Sequence, residues 1–144
     1  MYAIPPLVQQ ANRLFFDIEQ AIDHFARRHK YGFGAKLGAA AFTVALLARR
    51  AWAEKESRST LLHELEIATQ GLKLHLQLGK EMKAFASFRQ FECLARQADE
   101  LGRQLGGWKK ASHPNGQNAA KPQRRAAARP DTEYSRRLPA EANA

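Results

Sequence analysis

Apolar residues recur along the first 110 positions at three- and four-residue steps, and no segment alternates in the two-residue rhythm of a half-buried strand. Leu7, Ala11, Leu14, Phe15, Ile18, Ile22 and Phe25 share one helical face. Pro5-Pro6 suits a first turn, so the pattern predicts a helix from there to near His29, ahead of Tyr31-Gly32-Phe33-Gly34. A second helix is predicted from about Ala35 to Ala53. A third starts near Ser59 and is faced by Leu61, Leu65, Ala68, Leu72, Leu76, Gly79 and Met82. A fourth starts at Ser87, where Gln90 stands at the capping-box spacing. Its stripe is Phe88, Phe91, Leu94, Ala95, Ala98, Leu101, Leu105 and Trp108. Helices of about 20 residues with short connections predict an all-α antiparallel up-down four-helix bundle over residues 1–110.

The second helix departs from the amphipathic rule. Leu37 to Ala48 reads LGAAAFTVALLA, without a charge on any face. A helix that is apolar all round is buried all round, whereas each helix of a small bundle leaves one face wet. Leu37, Phe42 and Leu46 are therefore expected to meet another subunit as well as the core, and Gly38, Ala39, Ala40 and Ala41 allow close helix approach. Large exposed apolar patches mark interfaces.

Composition narrows the class of protein. The chain has 144 residues, a formal charge of +9 and a pI near 10.1. Its single cysteine excludes a disulfide framework and every cysteine-rich zinc site. It has no continuous apolar run long enough to span a bilayer and no basic-then-apolar leader at its start, so a cytoplasmic protein with no membrane partner is expected. Such a basic chain points to a polyanionic partner, RNA or DNA foremost. From Ala111 to Ala144, Pro, Asn, Gly, Ala and Arg dominate, and Tyr134 and Leu138 are the large apolar residues. A segment of that composition cannot offset its ordering entropy, and a disordered basic tail is expected over residues 111–144. The tail holds six bases and three acids, leaving 17 bases and 11 acids before it, so the excess belongs to both parts.

The positive charge is clustered. No acid lies between Asp23 and Glu54, a stretch that holds Arg27, Arg28, Lys30, Lys36, Arg49 and Arg50. In an antiparallel hairpin the first four share one end, and Arg49 and Arg50 lie at the other. Bases near a helix C-terminus also complement its dipole, which accounts for several of them singly but not for Lys36 or the absence of acids. The fourth helix carries Arg89, Arg96, Arg103 and Lys110 at seven-residue spacing, and Lys73 and Lys80 repeat that spacing on the third. A basic stripe is a phosphate track. Against that, Glu92 precedes Arg96 by four and Asp99 precedes Arg103 by four, the favoured order for intrahelical pairs. Most aromatic residues fall on core faces, which predicts backbone contacts and little base readout.

No catalytic or metal constellation is legible. His63-Glu64 lacks the second histidine of a metalloprotease helix. His75, between Leu74 and Leu76, reads as a partly buried structural histidine, and Cys93 as an incidental thiol. Tyr31-Gly32-Phe33-Gly34 does not fit a dinucleotide loop, because no strand precedes it. No catalytic residue, metal ligand or cofactor is expected.

The segment from Glu64 to Lys110 then carries a resemblance. Its end, Glu100-Leu101-Gly102-Arg103-Gln104-Leu105-Gly106-Gly107-Trp108, resembles the last helix of the Avd proteins, the accessory variability determinants of diversity-generating retroelements. It also resembles the wider family of 23S rRNA intervening-sequence four-helix-bundle proteins. Leu72-Lys73-Leu74-His75-Leu76-Gln77-Leu78 is similar to that group's third helix, and Arg28 to Leu37 to its first interhelical turn. The resemblance covers about Leu7 to Lys110 and implies a ring-like homopentamer of four-helix bundles. It further implies a non-catalytic partner of the retroelement reverse transcriptase that binds nucleic acid and supports mutagenic retrohoming. Arg28, Lys73 and Arg103 match basic positions of the family, and Gln77 is neutral where some members carry a base. In the small-residue motif, Gly106 would admit a neighbouring helix and Trp108 would cover the end of the core. The alternative is a structural or interaction protein of the intervening-sequence family, or a stand-alone RNA-binding protein.

Overall fold

A computed structural model describes residues 3–112, and among them every regular element is helical. Pro6 opens α1 (Pro6–Asp23) with a ring that needs no amide partner. The Gln9 amide bonds to the Pro5 carbonyl at 3.0 Å, and the Gln9 side chain donates to Ile4 O at 2.6 Å. Leu7, Val8, Ala11, Leu14, Ile18, Ala21 and Ile22 form its buried face, at the predicted spacing.

The first helix is shorter than its apolar pattern predicts. The His24 and Phe25 amides bond back only three residues, to Ala21 O and Ile22 O, both at 3.0 Å. Ala26 is extended, with φ −58° and ψ 146°, and opens a single separate turn, α2 (Arg27–Lys30). The break turns Phe25 inward, where it is buried. Its ring stacks on Phe33 at 6.3 Å and meets Phe85 edge-on at 5.3 Å. Aromatic burial of this kind offsets the helical bonds lost at the break.

α3 (Phe33–Ala53) lies against α1 through glycines. A Cβ at Gly34 would stand 2.9 Å from Ile22 Cγ2, and one at Gly38 would stand 2.6 Å from Glu19 Oε2. α4 (Arg58–Glu81) follows after four residues. Arg58 joins the two helices by donating from Nε to Ala51 O at 2.7 Å and from Nη2 to Trp52 O at 3.0 Å. Those are carbonyls of the last turn of α3, which an α-helix leaves without internal partners.

α4 ends in a Schellman turn. The Ala84 amide reaches Gly79 O at 2.9 Å and the Lys83 amide reaches Lys80 O at 3.0 Å. Lys83 holds φ 60° there, the left-handed conformation that usually selects glycine. α5 (Phe88–Ser112) begins at the predicted cap: Ser87 Oγ accepts from the Gln90 amide at 3.1 Å. Gln90 Oε1 accepts in return from the Ala86 amide at 3.1 Å, one residue before the position of an ideal capping box. The helix runs through Ala111 and Ser112, two residues past the change in composition.

The four long helices pack in a cycle, α1 on α3, α3 on α4, α4 on α5 and α5 on α1, around one apolar core. Leu7, Leu14, Ile18, Leu37, Leu62, Leu65, Leu72, Leu76 and Leu101 are its largest fully buried side chains. At one end, the α2 end, Phe25, Phe33, Phe85 and Phe91 meet across the α1–α2 break, the start of α3 and the turn into α5. Gly79 makes room for them: a Cβ on it would lie 2.7 Å from Phe85 and 2.9 Å from Phe33. At the other end the half-buried Trp108 ring lies under the Arg58 guanidinium at 5.5 Å. Among the described residues no helix is long and apolar enough to cross a membrane. The tail expected over residues 111–144 lies, apart from Ala111 and Ser112, outside the described residues.

Candidate nucleic-acid interface

The basic residues separate into two groups once their neighbours are known. Among the described residues, ion pairs join Arg13 to Asp17, Arg50 to Glu54, Lys73 to Asp99, Arg96 to Glu92, Arg103 to Glu100 and Lys109 to Glu66. Arg49, Lys55, Arg58 and Lys110, at the Trp108 end, take part in none of them, and neither do Arg27, Arg28, Lys30, Lys36, Lys80, Lys83 and Arg89. The latter seven all lie at the α2 end, on α2, the first turns of α3 and α5, or the close of α4.

α2 places Arg27 and Arg28 in solvent, and Lys30 comes to 6.0 Å from the Tyr31 ring centroid. Arg28 Nε donates to His29 Nε2 at 3.2 Å, an interaction between neighbours that consumes no negative charge. Lys36 is exposed one turn into α3. Lys80 sits over the Phe91 ring at 5.2 Å, and Arg89 is exposed in the first turn of α5. Lys83 joins them from the turn itself. A shallow hollow of about 190 Å³ between these last residues is lined by Lys80, Lys83, Phe85, Ser87, Phe88 and Phe91.

The seven-residue stripe along α5 is a weaker candidate. Arg96 pairs with Glu92 at 3.6 Å, as its spacing predicts. Arg103 departs from the prediction: it pairs with Glu100 at 2.7 Å, because Asp99 turns across to Lys73 on α4 at 3.2 Å. Lys73 and Arg103, two of the three basic positions that the sequence resemblance singles out, are thus partly neutralised within the chain. The third, Arg28, is not. At the Trp108 end, Arg49 lies over Trp52 at 5.8 Å, and Arg50 holds Glu54 through bonds of 2.8 and 3.3 Å. That hydrogen-bonded pairing raises Arg50 above its ordinary pKa and lowers Glu54 below the usual carboxylate range.

Two residues of the α2 end were not legible as surface groups. Tyr31 is 72% exposed, and Phe88, which the periodicity assigns to the core stripe of the fourth helix, is 64% exposed. Phe88 is the first residue of α5, where a helix has not yet closed onto the core. Its place immediately after the Ser87 cap was the available signal. Lys83 gave none, because its left-handed backbone depends on the turn.

The apolar surface lies elsewhere. Leu37 is fully buried within the chain, so its packing is intramolecular and it offers nothing to a second subunit. Phe42 and Leu46 are exposed, so the uncharged α3 is not buried all round by its own chain. Phe42 meets Phe15 of α1 edge-on at 5.9 Å, and the exposed Phe16 adjoins Phe15 at 5.7 Å. A second apolar stripe, Ile67, Leu74 and Leu78, runs along the outer face of α4 at helical spacing. No atom outside its own helix comes within 4 Å of where a Cβ on Gly106 would stand, so no helix of the same chain uses the gap it leaves.

His75 is half-buried, with Nδ1 2.8 Å from Gly71 O and its ring 6.4 Å from Phe33, a structural placement. Cys93 is exposed. Among the described residues no group of three or more His, Cys, Asp or Glu side chains is placed to hold a metal ion. No protein-family model matches the chain, and no curated protein matches it in sequence.

Proposed function

We propose that this chain is a non-catalytic accessory subunit of the Avd type, an antiparallel up-down four-helix bundle that assembles into a ring-like homopentamer in the cytoplasm. In this reading it binds the reverse transcriptase of a diversity-generating retroelement together with template RNA or cDNA. The observation that carries the nucleic-acid part is the gathering of unpaired cations at the α2 end, beside a stretch of 30 residues without an acid. Unpaired surface cations release counterions from a polyanion at full effect, whereas cations already held by carboxylates do not. Two dissimilar apolar patches, one spanning α1 and α3 and one along α4, support assembly. Unlike patches on different faces favour a head-to-tail contact, which closes into a ring when the rotation permits. The transcriptase and the family rest on the sequence resemblance.

Replacing Arg27, Arg28 and Lys36 by Glu is expected to abolish RNA and DNA binding while leaving the helical circular dichroism unchanged. Unchanged affinity at low salt would refute the assignment of the site. For the partner, a tagged chain is recovered from its native host, treated with nuclease, and what remains bound is identified by mass spectrometry. A reverse transcriptase retained after nuclease is the expected result. Its absence would overturn the retroelement role and leave the RNA-binding or structural alternative.

A further inference from the structure

We propose that the α2 end discriminates in favour of single-stranded nucleic acid, with Tyr31 and Phe88 stacking on unpaired bases while the surrounding cations hold the backbone. This deepens the nucleic-acid reading above and rests on it. The sequence alone predicts backbone contacts without stacking, because it assigns most aromatic residues to core faces. The structure moves Phe88 from that stripe into solvent and leaves the loop residue Tyr31 there as well. Tyr31 and Phe88 are the two most exposed large aromatic side chains at this end, at 72% and 64%, and both stand among cations with no acidic partner. Lys30 approaches the Tyr31 ring, and Phe88 borders the hollow that Lys80 and Lys83 line.

Phe88 lies at the rim of the core, its ring 5.7 Å from Phe91, with most of its surface left in solvent. Phe25, Phe33, Phe85 and Phe91 already close the core at this end. An exposed aromatic face amid positive charge fits a ligand that presents both phosphates and flat apolar surfaces. Single strands do so, because unstacked bases expose their π-faces between phosphates. A duplex keeps those faces inside its stack and offers the rings nothing. Electrostatics alone works in the opposite direction, since a duplex carries the denser charge and the steeper counterion release. A preference for single strands therefore cannot come from the cations and has to come from the rings.

The test is fluorescence anisotropy of the full chain with a labelled oligothymidine of about 20 nucleotides and with a mixed-sequence duplex of the same length, across a salt series. The wild-type chain is expected to bind the single strand more tightly. Tyr31→Ala with Phe88→Ala should weaken single-strand binding by about tenfold per ring, with duplex affinity and both salt slopes unchanged. Tyr31→Trp with Phe88→Trp should keep the single-strand preference, which a loss caused by altered folding would not restore. Equal losses on both ligands, or no loss on the single strand, would overturn stacking and leave the electrostatic site standing. Binding of neither ligand by the wild-type chain would overturn the nucleic-acid reading itself.

Discussion

Two glycines on one helix should respond oppositely to the same substitution. Gly79 and Gly71 both lie within α4, eight residues apart. A Cβ on Gly79 would stand 2.7 Å from Phe85 Cε2 and 2.9 Å from Phe33 Cε2, closer than real Cβ atoms approach. The rings cannot simply swing away. Phe33 is stacked on Phe25, which is itself met edge-on by Phe85, and Phe85 lies 5.9 Å from Phe91. A Cβ on Gly71 would meet nothing within 4 Å. Alanine improves helix propensity over glycine by about 0.8–1 kcal/mol at either position. At Gly79 it also adds a methyl group to a filled space, and overpacking of that kind costs about 1–3 kcal/mol.

The propensity gain is common to both variants, so the difference between them isolates the packing cost. Gly71→Ala is expected to be more stable than the wild type, and Gly79→Ala to fall below Gly71→Ala by about 1–3 kcal/mol. Urea denaturation followed by far-ultraviolet circular dichroism measures both, at chain concentrations where the mass is that of a monomer. Similar slopes in the three chains make the midpoint shifts comparable. If Gly79→Ala gains as much stability as Gly71→Ala, the rings do not close over Gly79. The aromatic floor beneath the cationic end would then not exist as described.

The exposed Arg50–Glu54 pair gives a pH dependence with a definite sign. Glu54 is held below its ordinary value by its hydrogen bonds from Arg50. Its contribution is therefore full above the unfolded carboxylate pKa of about 4.3 and lost as pH falls through the lower folded value. An NMR titration of Glu54 should show a depressed midpoint that Arg50→Gln returns to the ordinary range; a midpoint that ignores Arg50→Gln would refute the pairing. For assembly, Phe42→Asp or Leu74→Asp alone should reduce the sedimenting mass to that of one chain. If the two patches meet each other head-to-tail, an equal mixture of the two variants should form a heterodimer, because each keeps the face the other has lost. A mixture that stays monomeric would rule out contact between these patches.

The helical periodicity carried most of the fold. All four predicted helices begin within two residues of where they are observed, and the Ser87 cap is made by the side chains its spacing selects. The break after Asp23 was not legible because Ile22 and Phe25 keep the three-residue step across it. Periodicity records which residues face the core, and Phe25 does face it. What it cannot record is that Phe25 meets Phe33 and Phe85 with the backbone already out of the helix, which ends at Asp23. The partner rings come from α3 and from the turn into α5, eight and sixty residues further along the chain. The apolar run of α3 leaves open which of its faces the chain itself covers. Absence of charge says that a face can be buried, and the arrangement of neighbours then buries Leu37 while leaving Phe42 and Leu46 outside.

The site was harder to read than the fold because charge in a sequence is not charge on a surface. Lys73, Arg96 and Arg103 belong to the most regular basic pattern in the chain, and each is answered by a carboxylate. The Lys73–Asp99 pair crosses from α4 to α5 and redirects Arg103 to Glu100, so pairing by spacing on one helix gave the wrong partner. At the α2 end only Lys80 and Arg89 belong to that pattern, yet the structure gathers Arg27, Arg28, Lys30, Lys36, Lys80, Lys83 and Arg89 from four helices and a turn. Lys83 shows what that arrangement costs. Its φ of 60° is strained for a residue with a side chain, by about 1–2 kcal/mol, and glycine would relieve it. A lysine at the one turn position that favours glycine adds a cation where the others converge. The same end exposes two aromatic rings, Tyr31 and Phe88, the second set against Phe91 at the rim of the core. Strain, unpaired charge and exposed rings therefore coincide at one end of the molecule, and a polyanion with accessible bases is the ligand that would use all three.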